Sequence, residues 1–139
     1  MRHEELFYLL ALQKVDGVGD IVAKKLIAQC GNAEAVFKAK PAEIKAIDGV
    51  GSVLIRNLRD KSIFNLAEQE LRYIDDHHIR ALIYTDEVYP SKLQHCLDGP
   101  ILLFASGDFN FNSPKIISIV GTRQVTSYGI EFCRKLIAD

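Results

Sequence analysis

The sequence predicts an α/β protein with an all-α N-terminal domain, and three observations carry that expectation. Residues 1–72 place apolar side chains at helical spacing and contain no strand-like run. From residue 73 onward, continuous apolar runs alternate with amphipathic segments. That is the pattern of strands buried on both faces, as in a parallel sheet covered by helices. Between the two lies Lys61–Ile79, whose Ile63, Leu66, Ala67, Glu70, Leu71 and Ile74 mark one mostly apolar helix face, with Ser62 as its expected N-cap. The expected division is therefore 1–72 and 73–139.

Composition narrows the function classes. The 139 residues suffice for one ordinary domain or two small ones. A hydrophobic content of 48% excludes a disordered chain. A net charge of -1 supplies no global basic field, so any polyanion site must be local. Cys30, Cys96 and Cys133 stand in no metal-ligand spacing, and an odd, scattered set points to structural thiols in a reducing compartment. His77 and His78 are adjacent, about 100° apart on a helix, which makes a poor metal pair and an expected exposed helix end. No metal is expected. The apolar run Leu6–Leu12 is too short to span a membrane, and Glu4 and Glu5 precede it where a signal peptide would carry positive charge. The expectation is a cytoplasmic protein with no membrane contact.

The helical half contains an internal repeat. "VDGVGDIVAKKLI" (Val15–Ile27) and "IDGVGSVLIRNL" (Ile47–Leu58) share an apolar-Asp-Gly-Val-Gly turn that opens a helix. Gly17 and Gly19 recur as Gly49 and Gly51, an offset of 32 positions (17 to 49). Repetition at fixed offset is worth more than either copy alone. Between the copies, Gly31 is an expected helix C-cap, Asn32 or Ala33 opens a short helix, and Pro41 with Glu43 suits the first turn of another.

This arrangement resembles the tandem helix-hairpin-helix domain over about residues 4–60. Ala23 occupies the close-packing position after the first hairpin; Ile55 stands where the second usually has a small residue. In that family, hairpin amides contact a DNA phosphate. Here Asp20 would oppose a phosphate at the first hairpin. The second, with Gly49, Gly51, Ser52 and Arg56, lacks the acid and is the better site for an accessory DNA contact. A purely structural or protein-contacting role stands beside that one.

In the second half, Ala81–Thr85 reads as a strand, "DEVYPSKLQHCLDGP" as a turn and short helix, and Ile101–Gly107 as the next strand. "KIISIVG" (Lys115–Gly121) reads as a third. "SYGIEFCRKLIAD" follows as an amphipathic helix with Ile130, Cys133, Leu136 and Ile137 on one face. A complete doubly wound sheet has about five or six strands. The chain thus reads as a fragment, expected to self-associate or to be marginally stable through its open strand edge.

The stretch "IISIVGTRQVTSYG" (Ile116–Gly129) carries the chemistry. Gly121 ends a strand and permits a tight turn. Thr122–Thr126 form a loop, Thr126 or Ser127 can cap the helix, and Gly129 would allow close packing on the sheet. A helix N-terminus offers about half a positive charge, and Arg123 adds a full charge on a planar fork suited to phosphate oxygens. Together these describe an anion site; the alternative is that Arg123 only pairs locally. A dinucleotide turn requires G-x-G-x-x-G, which fails at Arg123 and Thr126, and no P-loop is present. No cofactor is expected.

With Asp86, Tyr89-Pro90, Leu93, Asp98-Gly99-Pro100, Leu103-Phe104, Gly107 and Val120–Gly129 in this order, the sequence resembles the DNA-processing protein A (DprA/Smf) family. The resemblance implies a tandem helix-hairpin-helix followed by a truncated Rossmann-like parallel sheet. It implies a non-enzymatic single-stranded DNA-binding protein that loads RecA-type recombinase and protects incoming DNA in natural transformation. It places Gly121, Thr122 and Arg123 in the strand-binding pocket, with Thr126, Ser127, Tyr128 and Gly129 on the same motif. It also implies a homodimer in the full-length protein, and further pocket residues past Asp139, so that this chain alone would bind DNA weakly or not detectably. Two alternatives remain. One is a Rossmann-fold nucleotide-processing enzyme related to lysine-decarboxylase-like phosphoribohydrolases, which would need a glycine-rich, glutamate-containing motif further on. The other is a pure interaction module. Asp75/Asp76 and Asp86/Glu87 are sequence neighbours rather than a catalytic pair.

Overall fold

In a computed structural model, which describes residues 2–108 and 110–138, four consecutive residues of the first helix are buried: Leu9, Leu10, Ala11 and Leu12. Four buried residues in a row cover every side of one turn, so the end of this helix lies inside its neighbours while its first turn stays exposed. α1 (Arg2–Gln13) accordingly packs along α6 (Ser62–Asp76) and against α2 (Asp20–Cys30) and α3 (Ala33–Lys38). Two shorter helices, α4 (Pro41–Ile44) and α5 (Ser52–Asn57), complete the helical half. Leu10, Leu12, Leu26, Val36 and Ile44 are its most deeply buried large side chains, each worth about 1.5–3 kcal/mol against exposure. Phe7, Tyr8, Phe37 and Phe64 close one side as an aromatic cluster, with Phe37 edge-on to Phe64 at 5.1 Å.

Local chemistry sets the helix ends. Gly31 terminates α2 with φ +98°, and its N–H donates to Ile27. Asn32 caps α3, its side chain accepting from the Ala35 N–H at 2.8 Å. Pro41 opens α4, with the Glu43 carboxylate accepting from the Lys40 N–H. The expected cap of α6 moves by one position: Ser62 is the first helical residue, Lys61 is the N-cap without a side-chain cap bond, and Asp60 accepts the Ser62 N–H at 2.9 Å. The α6 face is also narrower than the sequence implied. Ile63, Ala67, Leu71 and Ile74 are buried, while Leu66 is turned out.

The repeat survives as a backbone repeat. Gly17 and Gly49 have φ +88° and +90°; Gly19 and Gly51, at the N-caps of α2 and α5, have φ/ψ of -90°/175° and -90°/176°. The positive φ explains the first glycine of each pair. The two copies also grip each other reciprocally. The Lys25 ammonium donates to the Asp48 carbonyl, and Asn57 donates to the Asp16 carbonyl at 3.0 Å. The α carbon of Gly17 faces Leu54, and that of Gly49 faces Val22. Every one of these pairs exchanges under the same offset of 32, so the copies are related by an approximate two-fold axis.

Among the described residues two strands form, β1 (Arg80–Ile83) and β2 (Leu102–Ala105), with α7 (Ser91–Gln94) between them. They pair antiparallel, Arg80 opposite Ala105 and Ile83 opposite Leu102, which corrects the parallel arrangement expected from the sequence. A parallel partner requires a crossover that returns along the whole strand, about 13 Å here. The four-residue α7 rises only about 6 Å. Residues 84–101 instead fold back, and the Tyr84 N–H continues the ladder to the Ile101 carbonyl at 3.0 Å.

The expected third strand is also corrected. Residues 115–121 pair with no strand among the described residues and are exposed, Val120 at 92%. An apolar run becomes a buried strand only where neighbours supply hydrogen bonds and cover. α8 (Ser127–Ala138) follows, with its predicted apolar face largely exposed and no buried residue.

One hydrophobic cluster includes residues of both halves. Ile83, Ile101 and Leu102 join the core built on α1, α2 and α6. A smaller cluster gathers Leu82, Tyr89 and Ala105.

Candidate nucleic-acid interface

The turn before α8 is built from short-range contacts. The Thr126 hydroxyl accepts the Gly129 N–H at 3.2 Å, and its carbonyl accepts the Ile130 N–H at 3.1 Å. Thr126 is therefore the N-cap, and Ser127 is the first helical residue. Thr122 donates its hydroxyl proton to the Gln124 carbonyl at 2.8 Å. Arg123 is exposed, and its guanidinium makes no hydrogen bond or ion pair among the described residues. Gly121 and Tyr128 are exposed as well. Gly129 differs from expectation: a Cβ there would meet Val125 and Thr126 of its own turn at 3.2 and 3.4 Å, not the sheet. The turn thus sets an unpaired guanidinium shortly before the positive end of a twelve-residue helix.

The second hairpin is separate from that turn in sequence and in setting. Gly49, Gly51, Ser52 and Arg56 are all exposed, and the side chains of Ser52 and Arg56 have no partner among the described residues. Next to them, Lys25 holds the Asp48 carboxyl below the usual carboxylate range, first by its hydrogen bond and then by its charge.

At the first hairpin Gly17 and Gly19 are exposed too, but the side chains that follow them are engaged inside the molecule. Asp20, which the sequence set against a phosphate, accepts the Ile101 N–H at 2.8 Å. Lys24 donates to the carbonyls of Cys96 and Leu97 at 3.1 and 3.2 Å. This second use of Asp20 and Lys24 was missed from sequence. Its only trace there is an acid at a position where a phosphate-binding hairpin has none.

Most of the motif residues between the strands build the fold. Asp86 accepts the Ile83 N–H at 2.9 Å and forms an ion pair with Arg2 at 3.0 Å. Tyr89 is buried, and its hydroxyl donates to the Pro100 carbonyl at 2.6 Å. Burial pushes that phenol upward from its ordinary pKa. Asn112 clips the same corner, accepting from the Ser91 N–H and donating to the Tyr89 carbonyl. At Gly99 a Cβ would stand 2.5 Å from the Leu93 carbonyl oxygen, so the backbone approach admits only glycine. A cleft of about 720 Å³ lies elsewhere, where Arg2, His3 and Arg80 meet Asp75 and Glu87. Its mixed charge favours neither sign of ligand. No group of His, Cys, Asp and Glu among the described residues could hold a metal ion, and no described helix is long and apolar enough to cross a membrane.

Comparison with known proteins bears on the same residues. Residues 80–139 match the model of the family described as DNA recombination-mediator protein A. The chain is 28% identical, over 143 aligned residues, to Protein Smf of Synechocystis sp. (strain ATCC 27184 / PCC 6803 / Kazusa). That alignment covers 98% of this chain and 35% of the relative, so the chain spans about a third of the length of the curated protein it matches. No solved structure matches.

Proposed function

Because the chain belongs to the DNA-processing protein A (DprA/Smf) family, we propose that it is part of a non-enzymatic protein that binds single-stranded DNA, passes it to a RecA-type recombinase and so protects incoming DNA in natural transformation. The observation that carries this is the unpaired Arg123 guanidinium between Gly121-Thr122 and the Thr126-capped start of α8. A planar donor fork beside a helix N-terminus suits one phosphate of a polymer. The anion pocket comprises Gly121, Thr122 and Arg123, with Thr126, Ser127, Tyr128 and Gly129 shaping it. The second hairpin adds an accessory phosphate contact through Gly49, Gly51, Ser52 and Arg56, as half of a tandem helix-hairpin-helix domain over residues 1–72. Residues 73–139 begin a Rossmann-like domain whose further strands cover Ile116–Val120 and α8. The full-length protein works in the cytoplasm as a homodimer.

Binding of a fluorescent oligo-dT by the full-length protein, measured at several salt concentrations between about 50 and about 200 mM, tests the proposal. Phosphate contacts release counterions, so affinity should fall steeply across that range. Affinity independent of salt would exclude a phosphate-led site.

A further inference from the structure

The two-fold relation of the hairpins exposes a difference in what they hold. Under the offset of 32, Asp20 corresponds to Ser52 and Lys24 to Arg56. The first pair is engaged inside the molecule. Asp20 takes the Ile101 N–H at 2.8 Å, and Lys24 reaches the two carbonyls that follow α7, at 3.1 and 3.2 Å. Lys24 also lies 5.8 Å from the centre of the Tyr84 ring, at the end of β1. The second pair is exposed and holds nothing among the described residues.

We propose that the first repeat is an intramolecular clamp on residues 96–101, with its Asp20 and Lys24 side chains committed to that strap, and that the equivalent side chains of the second repeat, Ser52 and Arg56, are the pair left free for an outside ligand. The chemistry of the clamp matches its occupant. A peptide strap offers both an N–H and carbonyls, and Asp20 with Lys24 supplies one acceptor and one ammonium to meet them. Ile101, the strap residue that Asp20 holds, is fully buried in the core shared with the helices. The strap also contains Gly99 and the Pro100 carbonyl that receives the Tyr89 hydroxyl. The clamp therefore fixes the helical half to the corner from which β2 departs. At the second repeat, Asp is replaced by Ser and Lys by Arg. The Ser52 hydroxyl could still accept an N–H, but the pair has lost the charged acceptor with which Asp20 holds the strap. The clamp does not depend on whether the second hairpin meets DNA.

Amide hydrogen exchange read at Ile101 tests this without DNA. In the unaltered protein the Ile101 amide should be protected. Asp20→Ala should speed its exchange about tenfold or more, because a bond to a charged acceptor is lost. Amides in the middle of α1 and α6 should keep their rates. Asp20→Asn retains a side-chain oxygen and should keep most of the protection, which a role in charge alone would not. Lys24→Ala should loosen residues 96–101 independently if Asp20→Ala fails to fold. Three results would each overturn the clamp: an unprotected Ile101 amide in the unaltered protein, an unchanged rate in Asp20→Ala, or equal loss of protection throughout α1 and α6.

Discussion

The Lys25 ammonium lies 2.8 Å from the Asp48 carboxylate, joining the second helix of one repeat to the turn of the other. The contact bridges the approximate two-fold axis and depresses the Asp48 pKa. A depressed carboxylate contributes stability above the unfolded carboxylate range and loses it as pH falls through the folded pKa. Asp48→Asn should therefore cost a little stability at neutral pH, only a little because Asp48 is almost fully exposed, and the difference should vanish as pH falls through the folded Asp48 pKa, which flattens the acid limb by the same small amount. Thermal melts from about pH 7 to about pH 3 read this, with 4 as the ordinary midpoint to about half a unit. An acid limb that is identical in the variant would remove Asp48 from the account.

Gly99 answers to space rather than to a left-handed backbone. Gly99→Ala sets a methyl carbon 2.5 Å from the Leu93 carbonyl and 3.1 Å from that of Cys96. A loss of about 1–3 kcal/mol is expected in denaturant unfolding. Gly51→Ala, with φ -90° and nothing within 4 Å of the new carbon, should cost under about 1 kcal/mol. Equal costs would mean that the close approach at Gly99 relaxes freely.

Tyr89→Phe removes a buried hydroxyl and leaves the half-buried Pro100 carbonyl without its 2.6 Å partner. The expected loss is about 1–2 kcal/mol. The raised phenol pKa adds a sign to the alkaline limb. The neutral phenol is favoured in the folded state, so its stabilisation is present below the unfolded value of about 10 and is lost as pH rises through the folded one. Tyr89→Phe should be the less sensitive of the two proteins to alkaline unfolding.

Arg123→Ala should separate binding from folding. The guanidinium is exposed and makes no hydrogen bond or ion pair among the described residues, so stability should move by less than about 0.5 kcal/mol. Single-strand affinity of the full-length protein should fall, and its salt slope should lose about one phosphate contact. Arg56→Ala should give a smaller drop. Unchanged binding in Arg123→Ala would return that residue to a surface role, and a larger effect at Arg56 would shift the main site to the second hairpin.

Local chemistry was readable wherever a short window contains its own cause. The paired glycines announced two turns that share one backbone conformation, and Gly31, Asn32 and Pro41 marked helix ends where those ends occur. Thr126 was one of two expected caps for α8. These features depend on φ, on a side-chain oxygen or on a missing N–H, all of which belong to one or two residues. By itself, then, the sequence determined the repeat, the order of most elements and the motif that set Arg123 ahead of α8.

Long-range contacts settled the rest. Whether β2 runs with or against β1 depends on how far residues 84–101 travel, which no hydrophobic run records. Whether Ile116–Val120 forms a strand depends on partners distant in sequence. The opposite fates of Asp20 and Ser52, at equivalent positions of one repeat, depend on a strap about 80 residues further on, and so on loop closure rather than on local preference. Only the tertiary structure could decide that Asp20 and Lys24 are engaged while Ser52 and Arg56 are not.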